Sequence, residues 1–143
     1  MRAVMPASVV LFRALLIASV VIGLIGAFLD MLLPALVPAS LWTAFEELAP
    51  PATAAIFSAG ALVFITFGGM VTAIIGLYRF QSWARPLALW MTLLGLLFHP
   101  LLGANVQSGW AQMLLDLSSM LWGGVIAMSY VSSLSAHFES KPF

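Results

Sequence analysis

The sequence predicts an all-α integral membrane protein, a four-transmembrane-helix bundle, and three observations lead to that prediction. Of the 143 residues, 63% are apolar and only 7% are charged, and the mean hydropathy is +1.12. Soluble domains carry about 25% charged residues, so this composition excludes an ordinary soluble fold. Four apolar segments each exceed the ~17 residues that a helix needs to cross a bilayer core of about 30 Å.

We predict spans at residues 7–33, 52–78, 84–103 and 109–134, all within a single integral membrane domain covering residues 1–143. Arg13 and Asp30 lie about 25 Å apart along the first span at the helical rise. Both side chains are therefore expected to reach the two membrane interfaces, or else Asp30 turns inward toward another helix. The first apolar segment exceeds the ~7–15 residues of a signal-peptide core, so we expect it to remain uncleaved.

The connection between the first two spans contains four prolines and no basic residue. Within it, residues 40–49 predict a short amphipathic interfacial helix. Its apolar face comprises Leu41, Trp42, Phe45 and Leu48, and its polar face Glu46 and Glu47. We expect this helix to lie flat on the membrane, anchored by Trp42, and a lid over the bundle is the alternative. At the other end of the chain, residues 135–143 are polar and predict a frayed tail.

The distribution of charge predicts the orientation. If the N-terminus is cytoplasmic, all five basic residues lie at or near the cytoplasmic side and the outer connections have none. The positive-inside rule then places the N- and C-termini in the cytoplasm. The connector from Arg79 to Arg85, which includes Trp83, resembles connectors of many small bacterial membrane proteins. We therefore expect the bacterial inner membrane.

Small residues at four-residue spacing predict close helix packing in three of the spans, because such patterns let two backbones approach. They are Ser19, Gly23, Ala27, Gly68, Thr72, Gly76 and Gly123. These faces exceed the need of a single four-helix core. Besides the lipid bilayer, we therefore expect a membrane-protein partner or a homo-oligomer.

Ionisable side chains within the spans predict a polar cluster toward the outer side. Asp116 is the only acid well inside a span, and because its charge would cost about 2.5–3.5 kcal/mol in hydrocarbon, we expect it to face protein. Helical spacing places Gln112 and Ser119 on the same face. Estimated depths bring His99 and Asp30 to the same side. The cluster is interpreted either as a buried hydrogen bond that fixes helix register or as a protonatable pocket open to the outside.

Composition also excludes several kinds of site. The chain has no cysteine, so thiol catalysis, iron–sulfur clusters and Cys-ligated zinc are impossible within it. Its two histidines, His99 and His137, do not allow bis-histidine haem ligation inside the membrane. No nucleophile motif accompanies Ser118 or Ser119, and the zero net charge suggests no nucleic-acid partner. We expect no cofactor and no metal.

Three functions remain open. The favoured one is a non-enzymatic accessory or structural subunit that acts through transmembrane helix packing, because catalytic motifs are missing. The second is an oligomeric small transporter or channel using Asp116 as a protonatable group, although carriers usually bind substrate nearer the midplane. The third is a lipid- or quinone-handling membrane enzyme with its site near His99 and Asp116.

Overall fold

The computed structural model describes residues 6–41, 43, 55–98, 106–131 and 134–139. The regular elements in these ranges are all helical, which confirms the all-α prediction. They are α1 (Ala7–Leu32), a 3₁₀ turn (Pro34–Leu36), α2 (Ala55–Tyr78), α3 (Ala84–Phe98), α4 (Gly109–Val131) and α5 (Ser135–Glu139). Two helices, α1 and α4, are long and apolar enough to cross a membrane, whereas the apolar stretches Val63–Tyr78 and Ala84–Leu97 are shorter.

Only the first part of the predicted interfacial helix falls within the described residues. Ser40, Leu41 and Thr43 are helical, and the Thr43 hydroxyl donates to the Ser40 carbonyl at 3.0 Å. Residue 42 and residues 44–49 lie outside the described ranges. The amphipathic interpretation of residues 40–49 therefore stays a prediction.

Prolines and local capping determine where the long helices begin and end. The Pro6 carbonyl accepts the Val9 N–H at 2.9 Å, and α1 starts at the next residue after this proline. Pro34 has no N–H to continue the ladder, so α1 ends just before it. Ser108 caps α4, because its Oγ accepts the Ala111 N–H at 3.2 Å.

Helix α2 ends in a Schellman-type turn that has a phenylalanine at its left-handed position. The Gln81 N–H donates to the Gly76 carbonyl at 2.9 Å, and Phe80 has φ 56°. This conformation costs a residue with a Cβ roughly 1–2 kcal/mol. The Phe80 ring is buried, with centroids 5.4 Å from Phe12 and 5.0 Å from Phe138. Aromatic burial therefore offsets the backbone strain.

The four long helices form two antiparallel pairs, α1 with α4 and α2 with α3. In the first pair, the Ser118 hydroxyl donates to the Ser19 carbonyl at 2.8 Å. A Cβ added at Gly23 would lie 2.6 Å from Ser118 Oγ, and one added at Gly26 would lie 3.0 Å from Leu114 Cβ. The backbones of α1 and α4 approach this closely only because these positions have no side chain.

The two pairs join at one end of the bundle, which we call the arginine end and define by Arg13, Arg79 and Arg85. The buried apolar core at this end is formed by Val9, Phe12, Leu16, Ala73, Leu77, Phe80, Ala84, Ala88, Val125, Leu134 and Phe138. Toward the opposite end the side chains become exposed, including Phe64 at 79% and Leu97 at 72%. The pairs are therefore held together mainly at the arginine end.

The predicted frayed tail is wrong for residues 135–139, which form α5. Phe138 is fully buried, and the Arg85 guanidinium carbon lies 4.7 Å from the centre of its ring. The Glu139 carboxylate lies 4.0 Å from Arg85 but is 72% exposed, so this ion pair adds little. The average polarity of the tail concealed Phe138, the aromatic side chain that anchors α5 in the core.

Candidate functional site

Asp30, at the end of α1, binds the N-terminus of α4. Its Oδ2 accepts the Ser108 N–H at 2.7 Å, and its Oδ1 accepts the Ser108 hydroxyl at 2.5 Å. A carboxylate at a helix N-terminus is stabilised by the helix dipole and by these charge-assisted hydrogen bonds. The sequence allowed Asp30 either to reach the membrane interface or to turn inward toward another helix. In the structure it turns toward α4, and its two hydrogen bonds to Ser108 join α1 to α4.

Asp116 lies on an exposed face of α4, although the sequence predicted that it faces protein. The Gln112 amide Nε2 donates to Asp116 Oδ1 at 2.8 Å, so the hydrogen-bond donor comes from the same helix. The side of α4 toward α1 presents Ser108 and Ser118 instead. Asp30 and Asp116 thus belong to different sites. His99, the predicted donor to Asp116, lies outside the described residues.

The exposed face of α4 carries a stripe of polar and small residues. We call it the polar stripe and define it as Gln112, Asp116, Ser119, Gly123 and Ala127. All five residues are exposed. The Ser119 hydroxyl donates to the Leu115 carbonyl at 2.8 Å. A Cβ added at Gly123 would meet no atom within 4 Å. The stripe is therefore open to a neighbouring molecule along about four helical turns.

The small residues predicted to pack divide into two groups. Ser19, Gly23 and Gly76 lie at helix contacts, whereas Ala27, Gly68, Thr72 and Gly123 lie on exposed faces. In two cases the adjacent glycine makes the contact. Gly26 is buried against α4, and a side chain at Gly69 would overlap Met91 of α3. One residue along a helix is a rotation of about 100°, so the spacing pattern did not identify the contacting face at these positions.

A cleft of about 590 Å³ lies between the two helix pairs, and sequence reasoning did not anticipate it. Its hydrogen-bonding side chains are Ser19, Thr92, Ser118, Ser119 and Trp122. Each has a partner within the protein; for example, the Trp122 indole N–H donates to Thr92 Oγ1 at 2.9 Å. The remaining walls are almost entirely apolar. Such a cleft suits a hydrocarbon group, because a polar ligand would find no free donor there.

No three His, Asp or Glu side chains among the described residues are grouped so that they could hold a metal ion. Comparison of the chain with protein-family models, with characterised proteins and with solved structures finds no match. The fold and its surfaces define the class as a small all-α protein with two candidate membrane-spanning helices. Any more specific function must rest on the stripe and the cleft.

Proposed function

We propose that this chain is an accessory subunit of a membrane protein, and that it binds a transmembrane helix of its partner through the polar stripe of α4. The observation that supports this proposal is the exposure of Asp116 on a helix apolar enough to span a bilayer. A charged carboxylate facing hydrocarbon costs about 2.5–3.5 kcal/mol. A partner helix that presents a hydrogen-bond donor or a cation to Asp116 would remove much of that cost.

The shape of the stripe also favours a helix as the bound element. Ser119, Gly123 and Ala127 present no bulky side chain, so a second helix can approach α4 closely. An identical copy is the less favourable partner, because a parallel two-fold dimer through this face would bring two Asp116 carboxylates together. We therefore favour a different membrane protein over a homo-oligomer.

The proposal includes four spans in the bacterial inner membrane, with both termini cytoplasmic. The 24 residues of α2 extend about 36 Å, enough to cross the hydrocarbon core, and α3 packs against α2 as its antiparallel neighbour. Arg13, Arg79 and Arg85 lie at one end of the bundle, and Asp30 lies at the other. This separation of charge favours a cytoplasmic arginine end.

The orientation predicts the accessibility of single cysteines, which is simple to test because the natural chain has none. In intact cells, Gln107→Cys should react with an impermeant thiol reagent, since it precedes α4 at the outer end. Ser82→Cys, in the turn between α2 and α3, should react only after permeabilisation. The natural chain is the unlabelled control. If Ser82→Cys reacts in intact cells and Gln107→Cys does not, the proposed orientation is wrong.

The stripe itself is tested by introducing a large side chain where the structure has room for one. Gly123→Leu should abolish a complex that the natural chain forms in mild detergent. Its free energy of unfolding should stay within about 1 kcal/mol of that of the natural chain. Gly68→Leu, at an exposed glycine of α2 with equally open surroundings, is the matched control and should retain the complex.

The mass of the complex, measured by light scattering after size exclusion, distinguishes the possible partners. The protomer has a mass of 15.3 kDa. A complex with a different protein that Gly123→Leu loses supports the accessory role. A dimer or tetramer of this chain would instead favour the transporter or channel, in which Asp116 titrates. A complex that survives Gly123→Leu contradicts docking at the stripe.

A further inference from the structure

A groove between α1 and α2 is a second candidate binding site, separate from the helix-docking role. It is apolar along its length and has a basic residue at one end, which matches the distribution of charge in an anionic phospholipid. Its volume is about 560 Å³, within the range of roughly 300–1,000 Å³ that holds small molecules. The walls are apolar, with Ile17 and Val21 from α1 facing Ile74 and Ile75 from α2. The groove exists because α1 and α2 make few contacts with each other outside the aromatic core at the arginine end.

The groove ends in a cation. Arg79 lines its arginine end beside Tyr78. The Arg79 side chain is exposed, and it forms no hydrogen bond or ion pair with another described residue. Guanidinium groups bind phosphate through paired charge-assisted hydrogen bonds. Basic pockets between transmembrane helices are typical sites for anionic lipid headgroups.

The other end of the groove adjoins the cleft between the helix pairs, and the two cavities share Val20 and Ile74 as lining residues. The hydroxyl and indole groups of the cleft are already bonded within the protein. An occupant that extends from Arg79 into the cleft must therefore be anionic at one end and hydrocarbon along the rest of its length. A phospholipid aligned with the helices has this distribution.

We propose that the protein binds one anionic phospholipid, with its phosphate at Arg79 and an acyl chain in the α1–α2 groove that extends into the cleft. This inference requires the chain to lie in the bilayer, as proposed above. It does not require a partner on the polar stripe, although Ser119 and Gly123 of that stripe also line the cleft.

The test uses the full-length protein, delipidated in detergent and titrated with dioleoyl-phosphatidylglycerol or dioleoyl-phosphatidylcholine under native mass spectrometry. The natural chain should bind one phosphatidylglycerol about tenfold more tightly than phosphatidylcholine, as expected for a charge-assisted contact. Arg79→Gln should lose this preference, and Arg79→Lys should keep most of it. Equal binding of the two lipids by the natural chain, or an unchanged preference in Arg79→Gln, would overturn the proposal.

A second pair of variants tests the position of the acyl chain. Ile17→Trp fills the groove and should weaken binding of both lipids at least tenfold. Leu11→Trp is the matched control, because Leu11 is as exposed as Ile17 on the same helix but points away from the groove. A thermal melt confirms that both variants are folded. Unchanged binding by folded Ile17→Trp would place the lipid elsewhere and overturn the assignment.

Discussion

Replacing Gly26 by leucine should separate α1 from α4 and destabilise the protein more than any other substitution considered. A Cβ at this position would lie 3.0 Å from Leu114 Cβ and 3.2 Å from the Ala111 carbonyl oxygen. The carbonyl belongs to the backbone of α4 and cannot rotate away, so the helices must move apart. Overpacking of this kind typically costs about 1–3 kcal/mol, and loss of the neighbouring interhelical hydrogen bond adds to it.

The free energy of unfolding, measured by titration with a denaturing detergent, tests this expectation. Gly124→Leu is the matched control, because a Cβ there meets no atom within 4 Å. The control should be neutral or slightly stabilising, since leucine is a better helix former than glycine. Equal stability of the two variants would show that α1 and α4 do not pack through Gly26.

Removing the Asp30 carboxylate should release the N-terminus of α4. Asp30→Ala leaves the Ser108 N–H and hydroxyl without their acceptor, and Ser108 is only 6% exposed. Leaving a largely buried donor unsatisfied costs about 1–3 kcal/mol, and loss of the favourable helix-dipole contact increases the cost. Asp30→Asn should be milder, because the amide oxygen still accepts one of the two hydrogen bonds.

A double-mutant cycle with Ser108→Ala isolates the contact between these two residues. The two single substitutions should be non-additive by roughly 1–2 kcal/mol, as expected for directly bonded groups. Asp116→Ala is the control acid, because its carboxylate is exposed and, among the described residues, bonds to Gln112 of its own helix. Its free energy of unfolding should change by less than about 0.5 kcal/mol. Additive single effects, or an equal loss in Asp116→Ala, would contradict the capping role of Asp30.

The sequence predicted the helical class correctly, for physical reasons that act locally. Apolar segment length and the prolines at 6 and 34 set where α1 can exist. The spacing of Ser19 and Gly23 correctly indicated one packed face. Whether Gly26 or Ala27 continues that face depends on the crossing of α1 and α4, which local spacing does not specify.

Helix pairing and the polar sites could not be predicted in the same way. All four long helices are apolar on most faces, so periodicity does not reveal that α1 pairs with α4. The cost of placing a charge in hydrocarbon suggested that Asp116 faces inward. In the folded chain Asp116 is exposed, and Asp30 is the acid that bonds at the N-terminus of α4. The left-handed Phe80 was equally hidden, because such positions usually signal glycine and only the folded aromatic cluster explains it.

The pairing of α1 with α4 also determines the order of assembly during synthesis. About 100 residues separate the end of α1 from the end of α4, which at roughly 5–20 residues per second is a delay of about 5–20 s. Meanwhile α2 and α3 can form their hairpin, but the small-residue face of α1 has no partner. Any nascent chain that stalls before α4 leaves that face uncovered, so the most extensive helix contact forms late in synthesis.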